Sequence, residues 1–83
     1  MSPRPKRHRK IGRPPAQKGF RPFGSPRMLK KAVNLLYEEY EAIVLADYEN
    51  LSQGEAAVRM DVSRPTFTRI YDSARKKIAR AFA

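Results

Sequence analysis

SQGEAAVRMDVSRPTFTRIYDSARKKIARA, residues 52–81, holds two helical patterns separated by one tight turn. Ser52 and Glu55 stand in an S-x-x-E spacing, which lets each side chain satisfy a backbone N–H of the other and so opens a helix. Ala56, Ala57 and Met60 form the apolar side of this short helix, and Gly54 weakens it by up to about 1 kcal/mol relative to alanine. Asp61-Val62 supplies the turn, with the aspartate where a glycine would adopt a left-handed backbone more easily. Ser63 is placed to cap the next helix, and Pro65 is tolerated in a first turn whose N–H groups have no helical partner. The second helix is predicted to run to about Phe82, roughly 28 Å at 1.5 Å per residue. Phe67, Ile70, Tyr71, Ala74, Ile78 and Ala81 fall on one stripe. Pro65, Thr66, Arg69, Asp72, Ser73, Lys76 and Arg80 fall on the opposite arc, with Arg64, Thr68 and Arg75 at its margin. Two helices, a tight turn and a basic outer face form the layout of a helix-turn-helix that reads DNA.

Working towards the N-terminus, Leu36 to Glu49 has helical periodicity. It ends at Asn50, which tolerates the left-handed conformation, with Leu51 placed for the accompanying hydrophobic contact. At about 100° per residue its apolar positions divide. Ala42, Leu45 and Ala46 form a small-residue side that lets another helix approach. Tyr37, Tyr40, Val44 and Tyr48 occupy a separate arc of roughly 80°. This tyrosine stripe has three readings: ordinary core, a dock for Phe20 and Phe23, or a dimer contact. The expected fold is all-α, a helix-turn-helix domain of about three helices over residues 28–83.

Residues 1–27 read differently. Met1 to Pro26 holds six of the seven prolines and three of the four glycines. Such a stretch buries too little apolar surface to offset its ordering entropy, so an extended or disordered basic arm is expected. Charge divides along the same line. Met1 to Lys31 carries eleven Lys/Arg and no acid, Ala32 to Ser63 one Arg against seven acids, and Arg64 to Ala83 six Lys/Arg against one acid. Two basic ends around an acidic middle suggest a polyanion held at two places. Within the arm, Gly12-Arg13-Pro14 resembles the core of an AT-hook, but Ile11 stands where the first arginine of that core belongs. The arm is therefore read as a generic minor-groove or phosphate-binding segment using Arg4, Lys6, Arg7, Arg9, Lys10 and Arg13. The aromatic turn FRPFGSP, residues 20–26, is expected to dock Phe20 and Phe23 on the domain, since two exposed phenylalanines in a tail would be unusual.

Composition excludes several classes. The chain has no cysteine and one histidine, so disulfides and thiolate metal sites are ruled out and His8 cannot make a site alone. Apolar runs are too short for a membrane span. With about fifty residues of folded domain, stability should be marginal, and no constellation of reactive side chains suggests catalysis. Neither an enzyme activity nor a cofactor, metal or small-molecule ligand is expected.

A helix fits the major groove, and the first two turns of the second helix of such a motif reach base edges. Arg69 is the strongest candidate for a bidentate guanine contact, and Arg64 for the same or for a phosphate. Ser63, Thr66, Thr68 and Ser73 add hydroxyls. Arg75, Lys76 and Arg80 lie where backbone neutralisation is the expected role. Ser52 and Gln53, at the start of the preceding helix, are placed to meet phosphate oxygens with free N–H groups.

RPKR at residues 4–7, FRPFGSP, EEYEAIVLADYENLSQGEAAVRMDVSRPTF at residues 38–67 and SARKKIA at residues 73–79 together resemble a family of small, largely uncharacterised, predicted DNA-binding proteins of bacteria and archaea. The helix-turn-helix of that family is similar to region four of sigma factors. Asn50, Gly54 and Asp61 stand where the family more often has Gly, Glu and Gly, and Val44 replaces a usual Arg; family members often carry a longer C-terminus. The resemblance implies a sequence-specific regulator and no particular target. The expectation is thus a cytoplasmic, nucleoid-associated protein that binds duplex DNA to regulate transcription. Homodimerisation and an RNA polymerase contact stand as further partners. The rival readings are a small RNA-binding or ribosome-associated protein, and a sigma-like module that contacts polymerase.

Overall fold

Three helices pack around one small core in the computed structural model of the chain, which describes residues 12, 19–20 and 32–83. Helix α1 covers Tyr37–Ile43 and continues into a π-helical turn, Val44–Tyr48; α2 covers Gln53–Met60 and α3 covers Arg64–Phe82. There is no β-strand among the described residues, so the architecture is all-α.

Local chemistry accounts for each boundary. Glu39 starts α1 by accepting the Leu36 N–H on Oε1 at 2.9 Å, and Glu38 and Glu39 place negative charge at the positive end of the helix. At the other end the ladder widens: the Glu49 N–H reaches the Val44 carbonyl, an i to i+5 bond of 2.9 Å. Asn50 then turns left-handed with φ 60°, the Leu51 N–H closes on the Leu45 carbonyl at 3.0 Å, and the Leu51 side chain packs on the core. The sequence pattern places a helix from Leu36 to Glu49 with this cap, but the π turn is not legible in it.

Both caps of the helical pair form. Ser52 Oγ accepts the Glu55 N–H at 3.1 Å while Glu55 Oε1 accepts the Ser52 N–H at 2.8 Å. Asp61 adopts φ 60° and ψ 44°, the Val62 N–H bonds the Ala57 carbonyl at 3.0 Å, and the three residues Asp61 to Ser63 reverse the chain. Ser63 Oγ accepts the Thr66 N–H at 3.2 Å to open α3.

The core is made of Ala42, Leu45, Ala56, Ala57, Met60, Phe67 and Ile70, with Ala46, Leu51, Val62 and Tyr71 packed at its edge and Ala74 fully buried on α3. Four of its positions are alanines at 3 % exposure or less, which lets α1 and α2 approach α3 closely. Phe67 is the largest side chain with no exposure at all. Ala81 departs from the expected apolar stripe of α3: it is exposed, because α3 extends beyond the helices that cover its first four turns.

Candidate nucleic-acid interface

Helix α3 presents three distinct sides, each set by its hydrogen bonds. Taking Phe67 as the buried pole, Arg69, Lys76 and Arg80 lie within about 40° of one another near the opposite pole, at 100° per residue. All three are exposed, as are Arg64 and Pro65 in the first turn. Among the described residues, none of Arg64, Arg69, Lys76 and Arg80 has an acidic partner within ion-pair distance. Thr66 is held rather than free: its hydroxyl oxygen accepts from Ser63 Oγ at 2.9 Å and lies 3.5 Å from Arg69 Nη2. Ser63, Thr66 and Arg69 therefore form a connected strip at the start of α3.

One flank of α3 faces α2 and the π turn. The Thr68 hydroxyl donates to Gln53 Oε1 and is also 3.1 Å from the Arg64 carbonyl, so Thr68 and Gln53 link the two helices across their turn. Arg75 is exposed, but its guanidinium carbon lies 5.3 Å from the centre of the Tyr71 ring, and the Tyr71 hydroxyl donates to Asp47 Oδ1 at 2.7 Å. That bond to Asp47 raises the Tyr71 phenol above its ordinary value and keeps the hydroxyl protonated as a donor. Tyr71 also stacks on Phe67 with ring centres 5.7 Å apart.

The other flank faces α1. Here the structure differs from the expected reading face: Ser73 Oγ donates to Glu39 Oε2 at 2.7 Å and is turned inward. Lys77 joins it, donating to Glu39 Oε1 at 2.8 Å and to the Asn34 carbonyl at 2.9 Å. Glu39 is only 3 % exposed. Burial alone would raise its carboxyl, but the hydrogen bonds from Lys77, Leu36 and Ser73, with the Lys77 charge, outweigh it and hold Glu39 below its ordinary value. The physical reason for the Ser73 correction is this buried carboxylate, whose open lone pairs demand donors. A signal for it existed. On the helical wheel Lys77 lies about 20° from Ile70, inside the apolar stripe, where a lysine needs a partner.

The two residues of α2 expected at phosphates are also engaged within the fold, Ser52 with Glu55 and Gln53 with Thr68. The first backbone N–H groups of α2, at Gln53 and Gly54, still lack helical acceptors. The Ser52 bonds hold the exposed Glu55 carboxyl below its ordinary value.

The tyrosine stripe does not form as drawn. Tyr37 is 59 % and Tyr48 80 % exposed, while Tyr40 and Val44 are half-buried. The stripe assumed 100° per residue through Tyr48, whereas residues in the wider π turn advance by less, which takes Tyr48 out of line. The ordinary-core reading therefore fails at both ends. Phe20 is 94 % exposed, so the expected dock of Phe20 on the domain is not made. Phe23 and the cationic arm positions Arg4, Lys6, Arg7, Arg9, Lys10 and Arg13 lie outside the described residues. Among the described residues an arm contact is made to which no sequence pattern pointed: the Gly12 N–H donates to Glu41 Oε2 at 3.1 Å.

No helix among the described residues is long and apolar enough to cross a membrane, and no group of three or more potential metal ligands is present among them. A UPF0251 protein of Chloroherpeton thalassium is 51 % identical over 79 residues, which cover 95 % of this chain and 52 % of that protein. A UPF0251 protein of Halothermothrix orenii is 50 % identical over 78 residues, covering 94 % of this chain and 58 % of the relative. A Thermoanaerobacter pseudethanolicus relative of the same description is 48 % identical over 79 residues, 95 % of this chain and 67 % of its own length. The chain thus spans about half the length of most of the curated relatives it matches. No solved structure matches it. The pattern of a bacterial family described as "Protein of unknown function DUF134" matches residues 1–83, and the chain belongs to that family.

Proposed function

We propose that the chain binds duplex DNA as a helix-turn-helix of the sigma region-four type, with α2 and α3 as its two helices and α3 lying in the major groove. The observation that carries this reading is the strip at the start of α3: exposed Arg64 and Arg69 flank a Ser63-Thr66 cap, behind a three-residue turn, with no acid paired to either arginine among the described residues. Arg69 and Arg64 are the base-contacting candidates. Lys76 and Arg80 continue the same exposed side and neutralise phosphates. Ser73 drops out of the reading set, and Arg75 serves from the Tyr71 side. Thr68 and Gln53 hold the angle between the helices, and the free N–H groups at the start of α2 donate to a phosphate oxygen.

Charge argues that the arm takes part. From Ala32 to Ala83 the chain has seven Lys/Arg against eight Asp/Glu, so the whole of the net charge of +10 comes from the residues before Ala32, which carry +11. A domain without net positive charge needs that arm to gain the sequence-independent part of DNA affinity. A role in transcription regulation and a place at the nucleoid follow from this reading.

Selection of bound duplexes from a random pool tests it, followed by titration of the enriched duplex against structured RNA at equal salt. Enrichment of a defined site, and preference for it over RNA, is the expected result. Tighter binding to structured RNA would sink the reading and favour a ribosome-associated role. Removing Met1 to Arg13 takes away six Lys/Arg. The slope of log affinity against log salt should then become shallower by roughly five units, at about 0.9 per phosphate contact, while site preference survives. An unchanged slope would make the arm a passive tail.

A further inference from the structure

Helix α1 carries two buried carboxylates, Glu39 and Glu41, and only Glu39 is explained by the packing of α1 on α3. Glu41 is 7 % exposed, and its described donor comes from far along the chain, the N–H of Gly12, 29 residues away at 3.1 Å. Gly12 fits closely there: a Cβ built on it would lie 3.2 Å from Glu41 Oε2. A carboxylate so little exposed needs donors, and a backbone N–H from the arm satisfies a lone pair of it without spending any of the arm's cationic side chains.

We infer that Glu41 is a positioning residue that pins the arm to α1 at Gly12 and thereby fixes the point from which the preceding cations leave the domain. This deepens the DNA-binding reading and rests on it for its consequence, though not for the contact. Residues 1–11 contain five Lys/Arg. Extended, eleven residues reach at most about 36–40 Å, and one turn of duplex is about 34–36 Å. Eleven residues precede Gly12 and 31 precede Ala32. Effective concentration falls roughly as the −3/2 power of tether length, so moving the anchor of these cations from Gly12 to Ala32 dilutes them about fivefold at the DNA. The same phosphates are touched in the end, and the salt slope stays as it was.

The test uses the full chain. In DNA-free protein, hydrogen exchange at the Gly12 amide, followed by NMR, should show protection at least about tenfold above that of the exposed Gly19 amide, as expected of a hydrogen-bonded N–H against a buried acceptor. Glu41→Ala should abolish that protection, and Glu41→Gln, which keeps an acceptor oxygen, should retain most of it. Gly12→Pro removes the donor without changing charge and lies outside the core, so folding is not at issue. It should weaken binding to the enriched duplex about fivefold with the salt slope unchanged. Exchange of Gly12 as fast as Gly19 overturns the pin, and wild-type affinity in Gly12→Pro overturns its positioning role. Absence of any duplex binding by the unaltered chain is a different failure, striking the DNA-binding reading while the exchange result stands.

Discussion

Replacing Lys77 by methionine keeps the aliphatic stem on α3 and deletes only the ammonium that sits between Glu39 and the Asn34 carbonyl. Glu39 keeps the Leu36 N–H and the Ser73 hydroxyl but loses the Lys77 ammonium, its cation among the described residues. The Glu39 side chain is 4 % exposed and that of Lys77 25 %, which makes this pair worth more than a surface bridge. Breaking it should remove about 2–3 kcal/mol, the range of a charge-assisted hydrogen bond plus part of the penalty for an undercompensated buried carboxylate. For a helical domain of about 50 residues, each contributing about 2 cal/mol/K, every 1 kcal/mol corresponds to roughly 9–10 °C, so Lys77→Met should melt about 20–30 °C lower. Circular dichroism melts at pH 7 measure this directly. The acid limb supplies a second check. Because the folded Glu39 carboxyl titrates below its unfolded value near 4.5, its stabilisation is present above that pH and is lost as pH falls through the folded value. The gap between wild type and Lys77→Met should therefore narrow as pH falls through the folded value, where the carboxyl becomes protonated. A difference of under about 5 °C at pH 7, or a gap that persists unchanged into acid, would refute the argument that this buried pair holds α1 on α3.

Arg69→Ala should lose about 1–3 kcal/mol on the enriched duplex and little on random DNA, whereas Lys76→Ala should weaken both alike and lower the salt slope by about one unit; equal losses for Arg69→Ala on both duplexes would reassign it to a phosphate. Asp61→Gly should stabilise the domain by up to about 1 kcal/mol, because Asp61 holds φ 60° where a side chain is strained and glycine is not. A lower melting temperature for that variant would mean that the aspartate side chain offsets the strain.

What was legible in the sequence was what depends on neighbours in the chain. Ser52 with Glu55, Ser63 ahead of Pro65, and Asn50 before Leu51 are interactions across a few residues, and each boundary follows from them. The apolar side of α3 was legible as periodicity through Phe67, Ile70 and Ala74. The reading failed where partners are remote or where the helical period changes. Ser73 lies 34 residues from Glu39 and Gly12 lies 29 from Glu41, and no local pattern joins such pairs. The turn Val44–Tyr48 alters the advance per residue, so a wheel drawn at one angle misplaced Tyr48. Phe20 was assigned a dock on the general rarity of exposed aromatics, and its ring stands 94 % exposed.

The alanines at 42, 56, 57 and 74 have a consequence for how the domain responds to temperature. Small side chains bring helix axes together but remove little apolar area from water, and the heat capacity of unfolding scales with that area. A domain whose interior relies on methyl groups, one phenylalanine and a handful of longer aliphatics should have a heat-capacity increment below the usual 12–15 cal/mol/K per residue or so. Its stability curve is then broad and shallow. Cooling weakens it little, warming erodes it gradually, and unfolding spreads over a wide interval instead of a sharp one.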